Sequence, residues 1–124
     1  MMTTVFLVAL GGAVGSVGRY LTGIAALRAF GTGFPAGTLI VNVAGSFAIG
    51  VLFVLLARGD ARLSPFLLTG VLGGFTTFSA FSLDAFRLFE RGDAAMAGVY
   101  VAASVGLSIM ALAAGAYAMR AVAA

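Results

Sequence analysis

Four stretches of this chain carry no charged side chain: residues 1–18, 29–57, 63–83 and 94–119. A soluble domain has about one charged residue in four, whereas this chain has 9 %. A bilayer is crossed by about 20 consecutive apolar residues in a helix. The stretches therefore predict four membrane-spanning helices, near residues 3–27, 34–57, 65–90 and 94–121. These use up the sequence, so residues 1–124 are expected to form one all-α integral membrane domain with short connections and no soluble module.

The opening "MMTTVFLVALGGAVG" invites comparison with a signal peptide. It lacks a basic n-region, and its apolar run continues to Gly18, so it is read as the first span. Cysteine and histidine are both absent, which excludes disulfides, zinc or haem ligation by these residues, and imidazole acid–base chemistry. The net charge of +3 comes from arginines at membrane ends, which points to lipid headgroups and not to nucleic acid.

The connections are marked by turn residues. "GTGFP" (31–35) closes the first hairpin, with Pro35 suited to the first turn of the next helix. In "RGDARLSP" (58–65), Ser64 can cap and Pro65 can begin a helix. In "RGD" (91–93), Asp93 is a candidate N-cap. Four spans place both termini on one side of the membrane. Arg58, Arg62 and Arg120 then share the terminal side, and Arg28, Arg87 and Arg91 the other, with no lysine to break the tie. Because orientation follows the Lys/Arg bias, the balance leaves the chain free to insert both ways up, unless Arg19 or the free amine decides. A four-helix chain this small does not easily enclose an aqueous path alone, so association is expected. Gly11, Gly15 and Gly18, and Gly70 and Gly74, recur at helix-face spacing and suit close helix packing, within or between chains.

Polar side chains in hydrocarbon are costly unless satisfied, so their alignment is informative. Thr38, Asn42 and Ser46 recur every four residues on one face of span two, and Tyr100, Ser104 and Ser108 do so in span four. Span three adds Thr76, Thr77, Ser79 and Ser82. A lone hydroxyl commonly bonds back to its own helix. The Asn42 amide cannot satisfy all its groups that way, which leaves a polar path or an interhelical structural bond. The central part of this path holds no carboxylate, since Asp84 and Glu90 lie toward the end of span three, and Arg19 is the only deep charge. Amide and hydroxyl donors with a buried cation suit an anion, while Arg19 has snorkelling to the interface as its alternative role.

The segment "GGFTTFSAFS" (73–82) combines glycines with β-branched threonines, which predicts a break in span three near mid-membrane; a glycine-mediated helix crossing is the alternative. A break frees carbonyls from its first half and N–H groups from its second, and lipid tolerates it only where protein or a cavity surrounds it. Phe78 and Phe81 follow one turn apart. Their positive ring edges can meet a small anion, although such a pair is also ordinary packing.

Taken together, "GGAVGSVGRY", "GTLIVNVAGSFAIG", "GGFTTFSAFS" and the Tyr–Ser–Ser stripe of span four resemble the Fluc, or CrcB, family of fluoride channels over essentially the whole chain. The resemblance implies an antiparallel, dual-topology homodimer with two fluoride pores in the cell inner (plasma) membrane, each drawing residues from both subunits and exporting fluoride passively. It makes Asn42 the pore asparagine and Phe78 and Phe81 the paired pore phenylalanines. Thr38, Ser79, Tyr100, Ser104 and Ser108 match positions lining the pore or its hydroxyl track, and Arg19 matches the vestibule arginine. The resemblance also implies a structural sodium ion on the dimer axis, held by the backbone carbonyls of Gly73 and Thr76. One departure is visible: Ala80 stands where a hydroxyl residue often precedes the second ring, and Ser79 or Ser82 is the candidate substitute.

No enzymatic role is expected. "GGAVGSVG" is glycine-rich, but no P-loop lysine follows it and it lies inside a span. The rival reading is a small proton-coupled multidrug exporter, whose chemistry needs a deep glutamate in span one; residues 1–30 contain no acid. A purely structural membrane module is the third reading, and it has no use for Asn42 and the hydroxyl stripes in register.

Overall fold

The computed structural model describes residues 1–123, which are helical with no strand among them. The four expected spans are present: Met2–Phe30, Ala36–Arg58, the interrupted segment Ala61–Glu90, and Ala94–Ala123. Each is long and apolar enough to cross a membrane.

The connections form as their residues dictate, with one exception. Gly31 ends the first span in the left-handed region, φ 76°, and its N–H donates to the Leu27 carbonyl at 2.9 Å. The second span starts at Ala36, immediately after Pro35. At the third connection the Gly92 N–H donates to Phe89 O at 3.1 Å and the Asp93 N–H to Leu88 O at 3.0 Å. That pair is a Schellman closure, and it requires the positive φ of Gly92, 91°. The carbonyl of Asp93 then accepts the Ala97 N–H at 2.9 Å, while its carboxylate turns to Arg91 at 3.5 Å. The exception is Ser64, whose side chain makes no capping bond. Asp60 caps instead, accepting the Arg62 backbone N–H at 2.9 Å and its guanidinium at 2.7 Å. Those bonds hold the Asp60 carboxyl below the usual carboxylate range.

The third span is where the helix departs from regularity. Pro65–Leu72 winds in wide i→i+5 turns and Gly73–Phe75 adds a short α-helical piece. Thr76 (φ −89°, ψ 159°) and Thr77 (φ −157°, ψ 124°) are extended, and a new helix runs from Phe78 to Glu90. The predicted break is therefore present, at the two β-branched residues. An unbroken span is therefore not found, but the close glycine crossing is present beside the break. The backbone of Gly70 lies against that of Gly11, so that a Cβ on Gly70 would stand 2.8 Å from the Gly11 Cα. A Cβ on Gly74 would stand 2.7 Å from the Gly12 carbonyl oxygen. The first span thus packs on the first half of the third, and the second span on the fourth.

The close approach makes a measurable prediction. Gly70→Ala puts a methyl into a backbone-to-backbone contact that no rotamer can relieve. We expect a loss of about 1–3 kcal/mol of stability, as for other overpacked sites, read as a lower thermal midpoint in detergent. Gly98→Ala, inside the fourth span with nothing within 4 Å of its added carbon, should hold the midpoint or raise it slightly, since alanine favours a helix over glycine.

Phe81, Leu88, Ala97 and Tyr100 form the buried cluster, with Phe34, Leu39 and Ala85 packed on it. Many large apolar side chains on the outer faces are exposed, among them Phe6, Val14 and Val17 of the first span. Lipid or another chain suits such surfaces.

Candidate functional site

The break in the third span is held by two side chains from other spans. Asn42 Nδ2 donates to the Thr77 carbonyl at 2.9 Å, and the Thr77 N–H donates to Asn42 Oδ1 at 2.8 Å. One amide therefore replaces both helical partners of the residue at the break. Arg19 Nε donates to the Gly74 carbonyl at 3.1 Å. That bond ties Arg19 to the break, beside a cavity of about 290 Å³ that also touches Thr38, Thr77 and Ala80.

The consequences for the backbone follow from counting donors. A continuous helix would send the Thr77 N–H to the Gly73 carbonyl, but that N–H is taken by Asn42. It would likewise send the Ala80 N–H to the Thr76 carbonyl, but that donor goes to Thr77 Oγ1 at 3.1 Å, an N-cap for the second half. The carbonyls of Gly73 and Thr76 have both lost their helical donors. Carbonyl oxygens released in this way suit a hard cation.

On the far side of the break lies a second cavity of about 290 Å³. Asn42 and Ser46 line it from the second span, Thr77, Phe78 and Phe81 from the third, and Ser104 and Ser108 from the fourth. The rings of Phe78 and Phe81 meet edge to face, with centroids 5.3 Å apart. Phe81 is buried, whereas Phe78 is 76 % exposed in the single chain.

The hydroxyls differ in their partners. Thr22, Thr76 and Ser82 bond back to carbonyls of their own helices at 2.8, 2.8 and 3.0 Å, the common outcome for such residues. Ser104 and Ser108 do not. Their oxygens are buried and make no hydrogen bond of good geometry, with the Tyr100 hydroxyl beside Ser104, and they line the same cavity as Asn42 and the two rings. A buried hydroxyl without a partner costs roughly 1–3 kcal/mol.

Thr38 and Tyr100 behave differently from the rest of the stripe. Thr38 Oγ1 donates to Asp84 Oδ2 at 2.6 Å and Tyr100 Oη donates to the same atom at 3.3 Å. The sequence reading kept carboxylates out of the polar path, and Asp84 is the residue it missed. The available signal was an acid inside an apolar helix, a position that by itself marks a functional candidate. Ser79 lies on the exposed first turn of the second half, 3.3 Å from Thr77 Oγ1, and does not line the cavity of Ser104 and Ser108.

Comparison with known proteins places this arrangement. The family model described as CrcB-like protein, Camphor Resistance (CrcB), matches residues 6–116. The chain belongs to the CrcB family. Curated relatives of this CrcB chain carry the name "Fluoride-specific ion channel FluC". The protein of Cereibacter sphaeroides is 58 % identical over 120 residues, covering 97 % of each chain. That of Rhizobium etli is 59 % identical over 125 residues, covering 98 % of this chain and all of the relative. That of a Ruegeria species is 58 % identical over 124 residues, covering 98 % of both. The CrcB chain is thus a multi-pass protein of the bacterial plasma membrane, a channel-family member and not an enzyme.

Proposed function

We propose that this chain is a fluoride-selective channel that lets the ion leave the cell passively, and that the cavity beside the break is part of its path. Ser104 and Ser108 carry this reading: two buried, unpartnered hydroxyls face a space rimmed by the Asn42 amide and the Phe78 and Phe81 rings. The second half of the third span begins at this cavity, which presents the positive end of its helix dipole.

Fluoride is small and strongly hydrated, so whatever replaces its water must offer donors at every step. Hydroxyls, one amide edge and the positive ring edges offer several moderate sites in series, which permit passage without trapping. Larger halides shed water more readily, so in this reading their rejection falls to a narrow lining shaped by two packed rings. Negative potential inside the cell drives the anion outward, and no energy-coupling residue is required. In this reading Arg19 and Asn42 stand beside the break, and the track runs along the fourth span through Ser108 and Ser104 to Tyr100, which Asp84 ties to Thr38. Ser79 is a wall residue completed by a second copy.

The second copy is proposed to be antiparallel. The arginine balance leaves orientation undetermined, and Phe78, at 76 % exposure, is a pore ring that needs a neighbour to enclose it. A structural sodium ion fits the carbonyls of Gly73 and Thr76, because both have lost their helical donors. When bound it would supply fixed positive charge at the break. These carbonyls, joined by their counterparts in the second copy, would hold it while Asn42 keeps the backbone open.

The multidrug-exporter reading finds no support: the first span carries no acid, and the relatives are named as channels. The deciding experiment is ion flux from vesicles containing the purified protein. Fluoride efflux that is insensitive to a proton uncoupler, with chloride retained, is expected. Uncoupler-sensitive transport of an organic cation, with no fluoride flux, would overturn the reading.

A further inference from the structure

A third cavity, of about 310 Å³, opens between loop 31–35 and the last turns of the third span. Thr38 and Asp84 line it together with Arg87 and Arg91. It is linked to the polar cavity by direct contacts. Phe81, a wall of the polar cavity, lies with its ring 5.3 Å from that of Tyr100. Tyr100 and Thr38 then share Asp84 Oδ2. The hydroxyl track therefore reaches this cleft, which shares Gly23, Leu27, Gly37 and Thr38 with the cavity beside Arg19.

Asp84, Arg87 and Arg91 follow one another at i, i+3 and i+7, on one helix face. Arg87 lies about 4.5 Å further along the helix axis than Asp84, three residues at 1.5 Å each. The two arginines are not equivalent. Arg91 is committed, donating to the Gly33 carbonyl at 2.9 Å with Asp93 at 3.5 Å. Arg87 is exposed and, among the described residues, makes no side-chain hydrogen bond or ion pair.

We propose that this cleft, adjoining the cavity beside Arg19, is a mouth of the conduction path and that Arg87 is the charge that draws fluoride to it. The inference rests on the fluoride-channel reading and extends it. A carboxylate at the end of the track repels an arriving anion. A free guanidinium one turn nearer the surface offsets that repulsion and raises the local anion concentration, an effect that spans 10- to 1,000-fold in charge-lined clefts. Arg91, held by Gly33, shapes the loop side of the same opening.

The test is fluoride efflux from vesicles of neutral lipid holding full-length protein, at low salt (about 0.01 M, where the screening length is about 30 Å) and at about 1 M, where it is about 3 Å. Arg87→Glu is expected to slow low-salt efflux by about five-fold or more, Arg87→Gln by less, and Arg87→Lys hardly at all. At high salt the differences should collapse toward parity. Arg120→Gln, at the opposite end of the molecule where the guanidinium lies over the Tyr117 ring, serves as the surface-charge control and should behave as the parent. A conducting parent with an indifferent Arg87→Glu variant would overturn this inference alone. So would a loss of equal size at both salts, which marks a structural role, or a loss seen only in anionic lipid, which marks headgroup binding. A parent that moves no fluoride would overturn the channel reading, and the inference with it.

Discussion

Asn42→Asp is expected to abolish fluoride flux, by a factor of 100 or more, and to weaken the fold as well. The amide carries two duties that its acid counterpart cannot share. Nδ2 donates to the Thr77 carbonyl at 2.9 Å. An ionised carboxylate would set oxygen against oxygen there, leaving a buried acceptor unsatisfied at about 1–3 kcal/mol and adding repulsion in a poorly solvated site. The same oxygen would face the cavity of Ser104 and Ser108 as a fixed negative charge. A 100-fold loss corresponds to about 2.7 kcal/mol, well within the reach of one misplaced charge. The measurement is paired: efflux from vesicles, and the thermal midpoint in detergent. Flux and midpoint should both fall. An Asn42→Asp protein that conducts normally would remove Asn42 from the path and the break from the mechanism.

Phe78→Ile should separate conduction from folding. The Phe78 side chain is 76 % exposed in the single chain and contributes little to its core, so replacement leaves each chain's stability close to the parent's. What is lost is the ring: its positive edge and its edge-to-face contact with Phe81, at 5.3 Å. An isoleucine keeps most of the bulk but has no quadrupole. We expect at least a ten-fold drop in fluoride flux with the helical content of each chain retained, as read by circular dichroism. Normal flux in this variant would show that the rings serve only as spacers.

The span pattern was legible because charge-free runs of membrane length leave little choice. The break was legible for a local reason: Gly73, Gly74, Thr76 and Thr77 weaken a helix through their own backbone preferences, with no help from neighbours. The stripe of Asn42 and Ser46 was legible from four-residue spacing, and it does meet that of Ser104 and Ser108. What the spacing lacks is the rotation of each helix about its axis. That is why spacing does not show that Ser79 stands on an exposed turn, or that Thr38 and Tyr100 both bind Asp84. Partnerships with backbone are harder still. The carbonyls of Thr77 and Gly74, which hold Asn42 and Arg19, leave no trace in side-chain identity. Nor do the wide turns of Pro65–Leu72, whose residues read as an ordinary apolar helix.

The central claim is that two orphaned hydroxyls exist to receive a passing ion. Fluoride efflux from vesicles carrying the parent, compared with those carrying the Ser104→Ala, Ser108→Ala double variant, addresses it directly. The variant removes two unsatisfied buried oxygens and should be at least as stable as the parent. The expected result is rapid fluoride release by the parent, a several-fold slower release by the more stable variant, and chloride retained by both. A double variant that releases fluoride as fast as the parent would contradict the account.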